Sequence, residues 1–203
     1  MHHIFKLMAA IALLFTAAPA FAEAQVGQAA PAFTATDIDG NTVSLESLKG
    51  KTVVLEWSNH LCPFVMKHYE TGNMQKTQQA AMDQGVTWIT IVSSAEGRQG
   101  HVSAEEAKKI AEDAGAHYSH KILDESGEIG QAYGAKTTPH MFVINPEGTL
   151  VYAGAIDDNP SPRHETVEGA KNYVLAALDD LAAGKAVEIA TSQPYGCAVK
   201  YNY

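Results

Sequence analysis

Only two cysteines, Cys62 and Cys197, occur in 203 residues, too few for a disulfide scaffold. Positive charge is also scarce. Fourteen Lys and Arg stand against 23 Asp and Glu, a net charge of −9 with histidine neutral. That balance argues against nucleic acid or an anionic membrane surface as partner. No glycine-rich nucleotide loop is present, so no organic cofactor is implied. Internal repeats, low-complexity tracts and blocks of like charge are missing too.

A single apolar run approaches membrane length, and it stands at the start. Lys6 precedes Leu7 to Ala18, and Ala20-Phe21-Ala22 fits the small-x-small rule for cleavage before Glu23. The run is short for a bilayer span. Residues 1–22 therefore read as a signal peptide, with a retained N-terminal anchor as the alternative. On that reading the mature chain is periplasmic or otherwise exported, with no membrane attachment after the signal is removed. What remains is long enough for one domain with a proper core. In an exported protein, two cysteines raise the question of whether they meet.

The centre of the chain is Leu55-Glu56-Trp57-Ser58-Asn59-His60-Leu61-Cys62-Pro63-Phe64-Val65. Thr52 to Trp57 is an apolar, β-branched run that reads as a buried strand. Ser58, Asn59 and His60 end it, and Cys62 follows with a proline suited to a first helical turn. A cysteine at a helix start is exposed to unpaired N–H groups and the positive end of the helix dipole. Both favour thiolate over thiol, and the thiolate is the nucleophile. The plain alternative is an inert buried cysteine.

Along the rest of the chain, Phe33 to Asp37 and Thr42 to Leu45 flank Asp39-Gly40-Asn41, a hairpin signal. Pro63 to about Gln84 is helical in composition, and Gly72 in its middle predicts a kink or two shorter helices. Val86 to Val92 is a second buried strand. Ser103-Ala104-Glu105-Glu106 is a capping box opening a helix to about Gly115. Ile122-Leu123 is a short strand, followed by a brief helix through Tyr133 and a loop from Gly134 to Pro139. Met141 to Asn145 and Leu150 to Ala155 flank Pro146-Glu147-Gly148, a tight antiparallel turn. Val167, Ala170, Val174, Leu178 and Leu181 mark one face of a helix ended by Gly184. The tail from Ala186 looks irregular. Strand–helix–strand, a helical interval, a hairpin and a last helix predict a single α/β domain with a mixed sheet and helices on both faces.

This order of elements resembles the thioredoxin fold. The lead-in Val26-Gly27-Gln28-Ala29-Ala30-Pro31-Ala32-Phe33 resembles the opening of redoxin chains. That group includes the peroxiredoxin branch (alkyl hydroperoxide reductase/thiol-specific antioxidant) and the periplasmic TlpA-like thioredoxins. The resemblance runs from about Val26 to Gly184. It implies a central mixed β-sheet flanked by helices, here with an N-terminal β-hairpin extension. The domain then covers residues 23–185, and residues 186–203 form a C-terminal tail carrying Cys197. By resemblance Cys62 is the family's nucleophilic cysteine. Pro139, in Thr137-Thr138-Pro139-His140, is its cis-proline, and the backbone before it is the edge on which an extended, disulfide-bearing substrate docks.

Two departures separate this chain from its branches. Val65 stands where thioredoxins carry the second cysteine of Cys-x-x-Cys. Asn59 stands where peroxiredoxins keep a threonine, and Thr138-Pro139 occupies the approximate region of their peroxide-orienting arginine. Cys197 is then the candidate for resolving Cys62, either from a mixed disulfide or from a sulfenic acid left by peroxide. A static Cys62–Cys197 bridge and an intermolecular bridge are the alternatives.

Glu56 is an acid at an otherwise apolar strand position. By resemblance it could shuttle the cysteine's proton; the alternative is an exposed residue with no role. Asn59 could donate to peroxide or cap the helix. His60 could stabilise the thiolate as an imidazolium. His60, His68 and His140 lie near Cys62 in sequence, which raises copper binding as a non-enzymatic reading, although ligand number and geometry do not support a metal site. Asp157-Asp158-Asn159-Pro160 lacks the spacing of a calcium loop and reads as a solvated turn.

The reading is thus an exported thiol-based oxidoreductase performing thiol–disulfide exchange. Cys62 attacks and Cys197 resolves, while Thr138, Pro139, Asn59, His60, Trp57 and Glu56 shape the site. A redox protein bearing a thiol or disulfide serves as electron donor or acceptor. A peroxiredoxin-like peroxidase acting on a hydroperoxide is the runner-up.

Overall fold

The computed structural model describes residues 23–202; the signal-peptide expectation for residues 1–22 lies outside them. The opening hairpin pairs β1 (Thr34–Thr36) with β2 (Thr42–Ser44), as the Asp-Gly-Asn turn predicts. The central strand β3 (Val53–Trp57) leads to α1 (Pro63–Glu70). Gly72, at φ 74°, separates α1 from α2 (Asn73–Asp83), a conformation cheap only for glycine. β4 (Thr87–Val92) follows, then α3 (Ala104–Asp113), whose Ser103–Glu106 capping box is present in full. β5 (His120–Leu123), α4 (Glu128–Tyr133) and a two-residue strand β6 (Thr137–Thr138) lead to β7 (His140–Ile144) and β8 (Leu150–Gly154). The chain ends with α5 (Tyr173–Ala182) and a second short strand, β9 (Cys197–Ala198).

The main sheet runs β5-β4-β3-β7-β8. β3 pairs in parallel with β4 and antiparallel with β7, so it lies at the centre of a mixed sheet. Because side chains alternate along a strand, β3 feeds two cores. Val53, Leu55 and Trp57 join the cluster that holds Tyr133, Phe142 and Leu150. Val54 points the other way, into Met74, Trp88, Tyr152 and the inner face of α5. This is an α/β thioredoxin fold carrying an N-terminal hairpin.

Two expectations fail. Val167 and Ala170 fit the spacing of the last helix but lie outside it. Gly169, at φ 76°, breaks the chain there, and helix formation restarts where Asn172 accepts the Leu175 N–H as N-cap. The tail is not irregular throughout: β9 pairs antiparallel with β6, and Val199 and Tyr201 are buried in the first core. At about 1.5–3 kcal/mol for each large apolar side chain buried, those two residues anchor the tail firmly.

Candidate functional site

β3 ends at Trp57, and the next four residues turn the chain into α1. The Asn59 side chain builds this turn. Its Oδ1 accepts the Leu61 N–H at 3.0 Å, its Nδ2 donates to the Gln99 carbonyl at 3.2 Å, and its own carbonyl accepts the Cys62 N–H at 2.9 Å. Asn59 therefore shapes the loop and does not cap the helix. Cys62 itself holds the N-cap position (φ −87°, ψ 121°), with Pro63 in the first turn. The Cys62 carbonyl accepts the N–H groups of Val65 and Met66 at 2.9 and 2.8 Å.

Across from Cys62 the Thr138–Pro139 peptide bond is cis. The Cys62 sulfur lies 3.0 Å from the Thr138 carbonyl oxygen. In the β6–β9 pair, Thr138 stands opposite Cys197, and the Val199 N–H donates to the Lys136 carbonyl at 3.1 Å. Gly196, between Tyr195 and Cys197, has φ 135°, and a β-carbon there would overlap the Thr138 carbonyl. Only glycine lets the tail run this close.

The two cysteines are unbridged, and each side chain is near enough to shift the other's titration. Cys62 is fully buried and Cys197 half-buried. Burial alone raises the Cys62 pKa. Hydrogen bonds from the Cys197 and Thr138 side chains, and from the N–H groups of Cys197 and Val65, outweigh it and hold Cys62 below the usual thiol value. The Thr138 carbonyl acts in the opposite sense, since it accepts only from the protonated thiol. The net direction for Cys62 is down. Cys197 is pushed up to about 11 by burial, then by its hydrogen bond to Cys62 and the charge there. The pair thus loses its first proton from Cys62.

The other sequence-singled residues fall in different places. Glu56 is completely buried and accepts from Tyr69 (3.0 Å), Gln78 (3.1 Å), Trp88 (3.0 Å) and Thr90 (3.1 Å). Its hydrogen bonds tie α1, α2 and β4 together, and none of them reaches Cys62. Trp57 is buried and donates to Ser93, which donates in turn to Asp124. His60 is held below its usual pKa by burial and by Lys121, so the imidazolium proposed beside the thiolate is disfavoured. His68 is buried, held at about 3 by burial and Lys67, and bonded to Asn73 and Tyr195. His140 is held at about 4 by burial and Lys136, and its Nδ1 accepts the Lys136 N–H at 3.2 Å. Among the described residues, no three His, Cys, Asp or Glu side chains converge as a metal would need.

Sequence reasoning missed a buried polar cluster beside the thiols. Lys67 in α1 is fully buried, with Nζ 3.7 Å from Asp157 Oδ2 and 3.1 Å from the Asn159 carbonyl. Burial pushes the Lys67 pKa down, and Asp157 partly restores it. The Tyr195 hydroxyl donates to Asp157 Oδ1. Asp157 is therefore not part of a solvated turn; it is buried because a lysine and a tyrosine come to it. The available signal was a lysine between Val65 and His68 on the inward side of a helix.

With this geometry in hand, comparison with known proteins gives four relations. The chain matches the Redoxin family model over residues 25–174. It is 26% identical over 130 residues to the thiol-disulfide oxidoreductase ResA of Bacillus thuringiensis subsp. konkukian, covering 63% of this chain and 68% of that one. Its structure is similar to that of a hypothetical protein from Sinorhizobium meliloti (TM-score 0.76, 25% identity, 89% of this chain and 97% of that one). It is also similar to the thioredoxin domain of a thiol-disulfide oxidoreductase from Bacteroides vulgatus (TM-score 0.51, 29% identity, 71% and 96%).

Proposed function

The chain belongs to the redoxin family, and from that premise we propose that it is an exported thiol–disulfide oxidoreductase working through Cys62 and Cys197. One observation carries the reading: Cys197 stands opposite Thr138 in the β6–β9 pair, and the Thr138 carbonyl oxygen lies 3.0 Å from the Cys62 sulfur. No second cysteine lies in the Cys62-Pro63-Phe64-Val65 turn, so release of a bound substrate needs a thiol from elsewhere, and the tail brings one.

Three steps follow. The Cys62 thiolate attacks a substrate disulfide R–S–S–R, forming Cys62–S–S–R and expelling RS⁻. Cys197, having lost its proton, attacks the Cys62 sulfur, forming Cys62–S–S–Cys197 and expelling the second RS⁻. A dithiol redox protein then reduces the internal disulfide and is itself oxidised. The relatives named as thiol-disulfide oxidoreductases support the reaction class, and the reading of residues 1–22 as a signal peptide, from the apolar run before Ala20-Phe21-Ala22, supports export.

A second reading is favoured by the filled edge. Because β9 occupies the β6 edge and Cys62 is fully buried, a small oxidant needs less rearrangement than an extended polypeptide. A hydroperoxide ROOH attacked by the Cys62 thiolate gives Cys62–SOH and, once its alkoxide takes a proton, ROH. Cys197–SH then condenses to the same disulfide with loss of water.

Rapid mixing of the reduced protein with a disulfide peptide, and separately with hydrogen peroxide, tests both. Thiol loss far faster than for free cysteine is expected with at least one of them. Inertness toward both overturns the proposal.

A further inference from the structure

Tyr195, two residues ahead of Cys197, inserts between α1 and the loop that follows β8. Its hydroxyl donates to Asp157 and lies 3.2 Å from His68 Nε2. Lys67 Nζ stands 3.4 Å from that hydroxyl and 5.3 Å from the centre of the tyrosine ring, and the Phe64 ring packs at 5.8 Å. Phe64, Lys67 and His68 all belong to α1, the helix that begins at Cys62. One aromatic side chain therefore fastens the tail to the helix that carries the other thiol.

Beyond Cys197 the chain is held a second time. The Val199 N–H bonds to Lys136, and the Tyr201 hydroxyl donates to the Ala135 carbonyl at 2.8 Å. Cys197 is suspended between these anchors. The anchor at Tyr201 packs its ring in the main core and donates to a neutral carbonyl. The anchor at Tyr195 is different in kind: it is a hydrogen bond to a buried carboxylate, among the stronger ones because its acceptor is charged.

We propose that Tyr195 is the positioning residue of the second thiol step, its hydroxyl on Asp157 beside Lys67 holding Cys197 against the Cys62 sulfur. The proposal rests on Cys62 as the attacking thiol and Cys197 as the resolving one. Tyr195 takes part in no bond change. In the resolving step Cys197–S⁻ attacks Cys62–S–S–R, the Cys62–Cys197 bond forms, the bond to R breaks, and RS⁻ leaves. What Tyr195 supplies is local concentration: with the tail fastened, the attacking sulfur waits at its target instead of searching for it.

A chromogenic disulfide separates the steps. With excess 5,5′-dithiobis(2-nitrobenzoate), the full-length reduced protein releases one thionitrobenzoate when Cys62 attacks and a second when Cys197 closes the internal disulfide. Tyr195→Phe keeps the ring between Phe64 and Lys67 and loses only the hydroxyl. Its first release is expected to be no slower than that of the unaltered protein, and its second release slower by about tenfold or more. Asp157→Asn tests the same bond from the acceptor side, with the same opposed behaviour expected, and serves if the tyrosine variant fails to fold. A second release within about twofold of the unaltered protein, or both releases slowed in proportion, overturns the proposal. An unaltered protein that releases one group only overturns both this proposal and the two-thiol reading. Normal double release with an unaffected variant overturns this proposal alone.

Discussion

The Cys62 sulfur lies 3.0 Å from the carbonyl oxygen of Thr138, the residue that stands opposite Cys197 in the β6–β9 pair. Thr138 thus meets the Cys62 sulfur through its carbonyl and the Cys197 main chain through strand pairing. Its hydroxyl also reaches the Cys197 carbonyl at 3.5 Å. On the proposed function, the edge on which an extended substrate would dock is taken by the chain's own tail, which carries the second cysteine.

Replacement of each cysteine has a different consequence. Cys62→Ser is expected to abolish turnover with any oxidant. Cys197→Ser is expected to retain a single attack per chain and to accumulate a Cys62 adduct of the substrate's mass. Intact-protein mass spectrometry after quenching checks both. Sustained multiple turnover by the Cys62 variant contradicts the assignment.

The pH dependence follows from the direction of the Cys62 shift. Its pKa lies below the ordinary value of 9.0, so the thiolate forms at lower pH than in a free thiol. Iodoacetamide labelling of Cys62 is expected to rise with pH and level off before 9.0, with Cys197 lagging toward about 11 in the reduced protein. Differential labelling followed by peptide mapping reads the two sites. The reverse order of labelling contradicts the assignment of attacking and resolving roles.

Glu56 separates a structural acid from a proton shuttle. Glu56→Gln keeps the size but places an amide among four donors, which is expected to cost about 1–3 kcal/mol of stability. Cys62 labelling rates should stay unchanged, since none of the Glu56 hydrogen bonds reaches Cys62. Urea unfolding and labelling kinetics on one sample decide it. A large loss of Cys62 reactivity at full stability would restore the shuttle.

Acid should weaken the fold through its histidines. His68 and His140 have folded pKa values of about 3 and about 4, below the ordinary 6.5. Stability from keeping them neutral is fully present above pH 6.5 and is lost as pH falls through that window toward 4 and then 3. The urea midpoint is expected to drop between pH 6.5 and 4, and His140→Gln to flatten that slope. A midpoint unchanged down to pH 4 contradicts the burial argument.

Much of the scaffold was legible because its signals are local. The Asp-Gly-Asn turn, the buried run into Trp57, Gly72 between two helices, the capping box at Ser103 and the turn at Pro146 each act over a few residues. The start of α5 was misplaced because Val167 and Ala170 match helical spacing, while Gly169 and the Asn172 cap decide where the helix can begin. The tail's role was only half legible. Cys197 marks it, but the pairing with Thr138 spans 59 residues of sequence and leaves no periodic trace. Lys67 and Asp157 were hidden for the same reason: charge predicts exposure until a partner distant in the chain arrives to share its burial.

The most direct measurement is peptide mapping, without reduction, of the protein after one equivalent of a disulfide peptide or of hydrogen peroxide. The expected product is a monomer that has lost both thiols and carries a Cys62–Cys197 disulfide. Both thiols intact, or a disulfide joining two chains, would contradict the account.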